Sequence, residues 1–227
     1  MSASLRKFNL ESTGLFDNLP LKERQQLDSG TLRIKAKKGI VLYREGSFPK
    51  GIYIVRKGKV KIFQTGKDGR EHIMYIYTKG EAIGYRPLIS AEPHPVTATT
   101  LEDCSFYFIP REHFLEILKS SNELARMLLV SLSHEFSVWV NNITVFAQQP
   151  VRVRVALGLL VLQEKFKVKG KPGDINLSRD DLAAYVGTVK ETLVRVLQEF
   201  KRHNIIETQG RNIRLLDAEA LAGIAGE

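Results

Sequence analysis

Cysteine is nearly absent from this chain, since Cys104 is the only one among 227 residues. A single thiol cannot close a disulfide within the chain, and it cannot form an all-cysteine zinc or iron–sulfur site. We therefore predict no cysteine-held metal site, and no other cluster of metal ligands predicts one. We interpret Cys104, at the start of a predicted strand, as a small core residue.

Long apolar runs are also missing. No stretch approaches the ~20 apolar residues needed to cross a bilayer, and the N-terminus has no short apolar segment typical of a secretory signal. These absences predict a soluble, cytoplasmic protein without a membrane partner.

Groups of residues that carry out catalysis are absent as well. The sequence shows no Ser/His/Asp set and no cluster of metal ligands, and Gly84-Tyr85-Arg86-Pro87 is not a phosphate-binding P-loop. We therefore do not expect an enzyme.

Positive charge is what the chain has in excess. It carries 34 Lys and Arg against 25 Asp and Glu, a net charge of +9, which favours a polyanionic partner. Residues 1–80 hold 17 basic and 7 acidic side chains, whereas residues 148–227 hold 13 and 10. A nucleic-acid surface in the C-terminal part must therefore be a focused patch.

Between Leu32 and Phe108 the sequence consists of short β-rich runs separated by glycines. Many short strands at this spacing predict an antiparallel β-barrel or jelly roll. The absence of a βαβ rhythm argues against a Rossmann fold. Together with the helices that follow, these strands predict the α+β class.

A long helix is predicted from about Glu123 to Ala147, and Gln149-Pro150 ends it. Its apolar residues recur at alternating steps of three and four, the heptad spacing of a two-helix coiled coil. A second, mixed stripe lies beside this seam and comprises Leu128, Ser131, Glu135, Val138, Asn142 and Val145. Packing of the helix against the chain's own barrel explains one of the two stripes but not both, so the pair of stripes favours dimerisation through this helix. The predicted dimer seam is Leu129, Leu132, Phe136, Trp139, Ile143 and Phe146.

The segment from Leu177 to Leu215 has the pattern of a winged helix-turn-helix. Ser178, three residues before Asp181, is a natural N-cap for a first helix. Gly187 suits the short turn that follows, because glycine tolerates positive φ. A second helix and a β-hairpin complete the pattern.

The second helix of this motif has two distinct faces. Thr188 and Glu191 are predicted to form its capping box. The apolar residues that face inward are Leu193, Val196, Leu197 and Phe200. The residues on the other face are Lys190, Glu191, Val194 and Arg195. A basic helix followed by a basic wing is the geometry that enters a DNA major groove.

Hydrogen-bonding chemistry makes this outer face a candidate for reading bases. Arg195 can pair with O6 and N7 of guanine, and Glu191 can accept from the amino group of cytosine. Lys190 can reach guanine or a phosphate, and Val194 can pack on a thymine methyl group. Glu191 has a competing interpretation, because its carboxylate would also close the capping box.

The order of barrel, long helix, proline break and winged helix resembles the Crp/Fnr family of bacterial transcription regulators over nearly the whole chain. Val186–Arg195 resembles the family's recognition-helix motif VGxSRETVxR. Lys79–Gly84 resembles the strand and turn that lead into its phosphate-binding cassette.

This resemblance implies a sensor β-barrel domain over residues 1–121, a dimerisation helix over 122–148 and a winged-helix DNA-binding domain over 149–227. It implies a homodimeric, sequence-specific transcription regulator on a palindromic operator, with double-stranded DNA and RNA polymerase as partners. Base reading falls on Lys190, Glu191 and Arg195. The expected phosphate contacts are Ser178, Arg179, Thr188, Thr192, Gln209 and Arg211.

The resemblance fails at the cyclic AMP site. The family uses a glutamate after the cassette glycine for the ribose, an Arg-Ser pair for the cyclic phosphate and a Thr-Ser pair for the adenine. Here Tyr85 replaces the glutamate, and the two pairs fall on Pro95-Val96 and Trp139-Val140, so charge-assisted bonds to a phosphate are lost unless Arg86 substitutes. We expect no cyclic AMP response. The candidate effector pocket comprises Gly84, Tyr85, Arg86, Pro95, Val96 and Trp139.

The effector itself stays open at this point. One cysteine cannot hold the family's iron–sulfur cluster, and no cofactor is identified. Either an unidentified, more apolar ligand binds the pocket, or the pocket is filled by its own side chains, which Trp139 favours. An alternative function is a cyclic-nucleotide-type regulatory module that acts on a partner protein. The pairing of Glu191 with Arg195 on one helix, and the basic wing, argue against that alternative.

Overall fold

The computed structural model describes residues 3–10, 16, 19–167, 170 and 172–226. The chain divides into two compact units, which are described separately. The sheet unit comprises residues 10–65 and 74–135, and the helical unit comprises residues 1–9, 66–73 and 136–227.

Eight strands form two antiparallel four-stranded sheets. They are β1 (Leu32–Ala36), β2 (Val41–Tyr43), β3 (Gly51–Lys57), β4 (Val60–Thr65), β5 (Glu71–Tyr77), β6 (Ala82–Ile83), β7 (Thr97–Thr100) and β8 (Cys104–Pro110). The strand orders are β1-β8-β3-β6 and β2-β7-β4-β5. This arrangement confirms the predicted jelly roll.

The strands form where apolar side chains alternate with polar ones, so that one face of each sheet is buried. In β4, for example, Val60 and Ile62 are at most 1% exposed, while Lys61 between them is partly exposed. Phe106 of β8 is completely buried. Cys104 is buried at the first position of β8, as predicted.

Five helices belong to the first two-thirds of the described chain. They are α1 (Ala3–Arg6), α2 (Leu21–Ser29), α3 (Tyr85–Ser90), α4 (Arg111–Ser120) and α5 (Asn122–Gln148). The 27 residues of α5 confirm the predicted long helix. None of the helices in the described ranges has the length and apolar composition of a membrane span.

The C-terminal elements build the winged helix of the helical unit. They are α6 (Val151–Lys165), β9 (Ile175–Asn176), α7 (Arg179–Val186), α8 (Lys190–Arg202), β10 (Ile206–Gln209), β11 (Asn212–Leu215) and α9 (Ala218–Ala225). The strands form one sheet in the order β10-β11-β9. α6 is the central helix, since each of its residues from 155 to 162 is buried. Gly158 allows its close approach to α7, because a Cβ there would lie 2.8 Å from Cγ1 of Val186.

Candidate nucleic-acid interface and effector pocket

The turn between α7 and α8 is fixed by backbone requirements. Ser178 caps α7, since its Oγ accepts a hydrogen bond of 3.0 Å from the backbone N–H of Asp181, as predicted. Gly187 ends α7 with φ of 67°, the left-handed region in which glycine is favoured. A Cβ at Gly187 would lie 2.9 Å from Cε1 of Phe146. The turn therefore requires glycine both for its φ and for the space.

The predicted capping box of Thr188 and Glu191 is wrong. α8 begins at Lys190, and its N-cap is Val189, a residue whose side chain has no acceptor. Because the helix starts later than the pattern suggested, Glu191 is the second helical residue and not the third, which is the position that reaches back in a capping box. The interpretation of Glu191 as a capping residue fails with it.

α8 separates its buried and exposed residues as the sequence predicted. Leu193, Val196, Leu197 and Phe200 are buried in the helical unit. Lys190, Glu191 and Arg195 are exposed, and Val194 and Thr192 are half-buried. The four candidate base contacts therefore lie on the face of α8 that its own domain does not bury.

Lys190 also makes an exposed contact with the preceding helix. Its Nζ lies 3.0 Å from Oδ2 of Asp180, and the two side chains are 51% and 71% exposed. Exposed ion pairs of this kind contribute about 0–1 kcal/mol. The pair is therefore weak enough for Lys190 to exchange Asp180 for another anion.

Arg179 holds the tip of the wing, which is the hairpin formed by β10 and β11. Its Nη2 donates to the carbonyl of Gly210 at 3.0 Å, and its Nη1 donates to the carbonyl of Arg211 at 3.3 Å. The tip is a two-residue turn with φ of 56° at Gly210. The flanking Gln209 and the side chain of Arg211 are exposed. Arg179 thus orients the predicted phosphate contacts of the wing.

A second arginine, Arg154 of α6, fixes the end of α7 in the helix-turn-helix. It was not identified from the sequence. Arg154 of α6 donates from Nε to the carbonyl of Val186 at 3.0 Å and from Nη2 to that of Gly187 at 2.8 Å. These carbonyls end α7 and have no partner within the helix itself. No sequence pattern marks Arg154, because its role depends on contacts 32 and 33 residues away.

The two stripes of α5 differ in burial. The residues of the mixed stripe that are buried are Leu128, Ser131, Glu135 and Val138. In the predicted seam, Leu129, Phe136 and Ile143 recur every seven residues and are 68%, 71% and 65% exposed. Leu132, Trp139 and Phe146 are half-buried. The centroid of the Phe146 ring lies 4.8 Å from that of His72.

The predicted pocket residues Gly84, Tyr85 and Arg86 lie together at the start of α3. Gly84 has φ of 90° and precedes the helix. The buried Tyr85 donates its hydroxyl hydrogen to Oε1 of Glu135, and its oxygen lies 3.3 Å from Oγ of Ser131. Nη1 of Arg86 lies 3.1 Å from Oε2 of the same glutamate.

The other predicted pocket residues are placed differently. Pro95 is exposed, and its carbonyl accepts a hydrogen bond of 2.9 Å from Gln64. Val96 is half-buried. Trp139 belongs to the helical unit, whereas Gly84 belongs to the sheet unit.

Further polar groups of this region escaped sequence reasoning. Nη2 of Arg86 donates to the hydroxyl of Tyr77 at 3.3 Å. The rings of Tyr43 and His94 are stacked at 3.6 Å, and burial lowers the pKa of His94 to about 4, so that it is neutral at neutral pH. For Glu135 the sequence does contain one sign of a special role, because it is an acidic residue in the mixed stripe of the long helix.

A jelly roll followed by a long helix and a winged helix defines a transcription regulator that binds DNA and carries a sensor-like domain. Two family models match the chain, a cyclic nucleotide-binding domain over residues 33–121 and a Crp-like helix-turn-helix domain over residues 153–224.

Curated relatives agree with this class, and a solved structure shares the fold. The chain is 29% identical to the transcriptional activator protein Anr of Pseudomonas protegens over 213 residues, 92% of this chain and 87% of that protein. It is 28% identical to the fumarate and nitrate reduction regulatory protein of Yersinia pestis, over 90% of this chain and 83% of that protein. FixK2 of Bradyrhizobium japonicum shares the fold, with a TM-score of 0.77 at 23% identity, over 86% and 96% of the two chains. The chain belongs to the Crp/Fnr family, whose members are transcription regulators and not enzymes.

Replacing Gly187 by alanine tests the turn of the DNA-binding motif. We expect a loss of about 1–2 kcal/mol in the free energy of unfolding from the left-handed backbone alone, with a further loss from the contact with Phe146. Gly210→Ala is the matched control, because φ there is also positive while no described atom lies within 4 Å of the added Cβ. Urea unfolding measures both variants, and an equal loss in the two would contradict a role for the contact.

Proposed function

We propose that this chain is a homodimeric regulator that reads a palindromic operator through α8 and needs no cyclic AMP to do so. The observation that carries the proposal is the division of α8 into a fully buried face and an exposed face of mixed charge. The exposed face carries Glu191 and Arg195 one turn apart, so that it presents a hydrogen-bond acceptor and a guanidinium with two donors on the same side of the helix.

Base reading is assigned to the N-terminal half of α8. Arg195 supplies two donors for guanine, and Glu191 supplies an acceptor for cytosine. Lys190 reaches a base or phosphate after releasing Asp180, and Val194 contacts a thymine methyl group. The N-terminal residues of a recognition helix are the ones that meet base edges in helix-turn-helix proteins.

Phosphate contacts are assigned to groups around this helix. The hydroxyls of Ser178, Thr188 and Thr192 lie at or near the starts of α7 and α8, where backbone N–H groups also favour an anion. Arg179 acts mainly by holding the wing, so that Gln209 and Arg211 face the backbone of the DNA. Contacts of this kind set register and orientation and carry no sequence information themselves.

Arg195→Ala tests the assignment of base reading. With an operator selected from a random DNA pool, we expect specific binding to weaken by about 1–3 kcal/mol per half-site, while non-specific binding changes little. Lys201→Ala is the control, since it removes the same charge from the same helix about 9 Å farther along. Titrations of operator and random DNA measure the specificity ratio, and an unchanged ratio in Arg195→Ala would refute the assignment.

Dimerisation is assigned to α5. Leu129, Phe136 and Ile143 form an exposed apolar row with a period of seven, and such a row is covered when two helices pair in a coiled coil. Two-fold symmetry then places two copies of α8 about one helical turn of DNA apart. We also assign RNA polymerase as a partner, because a transcription regulator acts on the enzyme that transcribes its target, and we assign the cytoplasm as the location.

Phe136→Asp tests the dimer. A carboxylate in the seam would be buried without a partner, which is costly, so we expect a monomer that binds the operator poorly. Ser137→Asp is the control, because it adds the same charge one residue along, on the exposed far side of α5. Sedimentation gives the oligomeric state and circular dichroism the folding. A dimer with full operator affinity in Phe136→Asp would refute the seam.

The contacts of the predicted pocket residues favour the interpretation that the pocket is filled by side chains of the chain itself. Arg86, the one candidate partner for a cyclic phosphate that the sequence offered, contacts Glu135 and Tyr77 instead. Tyr85 stands in place of the ribose glutamate and is itself buried. A cyclic phosphate would have to compete with a carboxylate already fixed on the chain. We therefore propose that cyclic AMP is not an effector.

A further inference from the structure

Glu135 is a buried carboxylate in the sheet unit, only 2% exposed. A charge in such a place is costly unless it is paired and hydrogen-bonded. Two neighbouring residues of α3 supply these interactions, the hydroxyl of Tyr85 at one oxygen and the guanidinium of Arg86 at the other. The carboxylate is therefore accommodated by the segment that follows the cassette glycine.

The charges of this group are well defined. Burial and the carboxylate of Glu135 raise the pKa of Tyr85 far above its usual range, so its hydroxyl remains a donor. Burial alone would lower the pKa of Arg86, but Tyr77 and Glu135 outweigh it and raise that pKa further. Tyr85 is neutral and Arg86 is cationic at any physiological pH.

The two oxygens of Glu135 are held in different ways. Oε1 accepts a hydrogen bond from the hydroxyl of Tyr85, and Ser131, one turn earlier on α5, flanks the same hydroxyl. Oε2 has the 3.1 Å charge contact with Arg86, but within the described part of the chain it has no hydrogen bond of good geometry. Arg86 thus meets this carboxylate as a charge and not through a fixed bidentate bond.

We propose that Glu135 acts as an internal ligand of the Gly84–Arg86 segment. Its carboxylate occupies the anion site on Arg86 and ties this segment to α5. In this arrangement the chain itself carries the anion that faces Arg86. The assignment of the segment as the effector site and of α5 as the dimer helix rests on the proposed function. The ligand that fits this site, once Glu135 is removed, is a small carboxylate.

Removing the internal carboxylate should create a site for an external one. In Glu135→Ala, Arg86 keeps its charge and loses its carboxylate, and formate presents the same two oxygens in a molecule of three non-hydrogen atoms. The affinity attainable by so small a ligand is about millimolar at best, so tens of millimolar formate are required. Sodium chloride at equal concentration controls for ionic strength.

We expect formate to raise the melting temperature of Glu135→Ala, and to leave wild type and the double variant Glu135→Ala/Arg86→Ala unchanged relative to chloride. Loss of one partner from a buried pair is strongly destabilising, and in Glu135→Ala it also releases the Gly84–Arg86 segment from α5. We therefore expect the operator affinity of Glu135→Ala to fall about tenfold or more and formate to restore part of it. Glu135→Gln, which keeps the shape and removes the charge, should behave like Glu135→Ala without formate.

Three results would overturn the proposal. They are a formate effect equal in the single and double variants, no formate effect on Glu135→Ala, and wild-type behaviour of Glu135→Gln. The melting experiment involves no DNA. Failure of wild type to select any operator would therefore refute the proposed function, while a formate effect that depends on Arg86 would still support the anion site.

Discussion

The burial of Glu135 is the constraint on which the arrangement around the pocket depends. A carboxylate that is 2% exposed requires compensation, and the compensating groups come from two consecutive residues, Tyr85 and Arg86. Their position depends in turn on Gly84, which precedes α3 as its N-cap with φ of 90°. One charge on the long helix is therefore bound by two neighbouring residues at the start of α3, which is the basis of our proposal that the pocket is filled by its own side chains.

The DNA-binding motif depends on backbone carbonyls held by arginines. Arg154 fixes the end of α7 and Arg179 fixes the tip of the wing, each with two hydrogen bonds. Both are cations in a protein that binds a polyanion, yet their guanidinium groups contact the chain itself. The contacts to DNA that we propose therefore come from exposed side chains on the elements that these arginines hold, chiefly Arg195 on α8 and Arg211 on the wing.

Much of this architecture could be predicted from the sequence, because local patterns determine it. Strand alternation, the length of α5, the cap at Ser178 and the turn at Gly187 all follow from neighbouring residues. The predicted start of α8 is wrong. Thr188 and Glu191 satisfy a capping pattern, but the helix begins one residue later, with Val189 as its N-cap. The pairing of Glu135 with Arg86 could not be foreseen, because it joins residues 49 apart and depends on which stripe of α5 is buried.

The central claim is that the unliganded dimer is competent to bind its operator. The most direct measurement is a titration of operator DNA with protein that has been unfolded, freed of small molecules and refolded, followed by native mass spectrometry of the complex. We predict two chains per operator, no additional mass, and the same affinity with and without a saturating concentration of cyclic AMP. A small molecule retained in the complex, or an affinity that rises about tenfold or more with cyclic AMP, would contradict the claim.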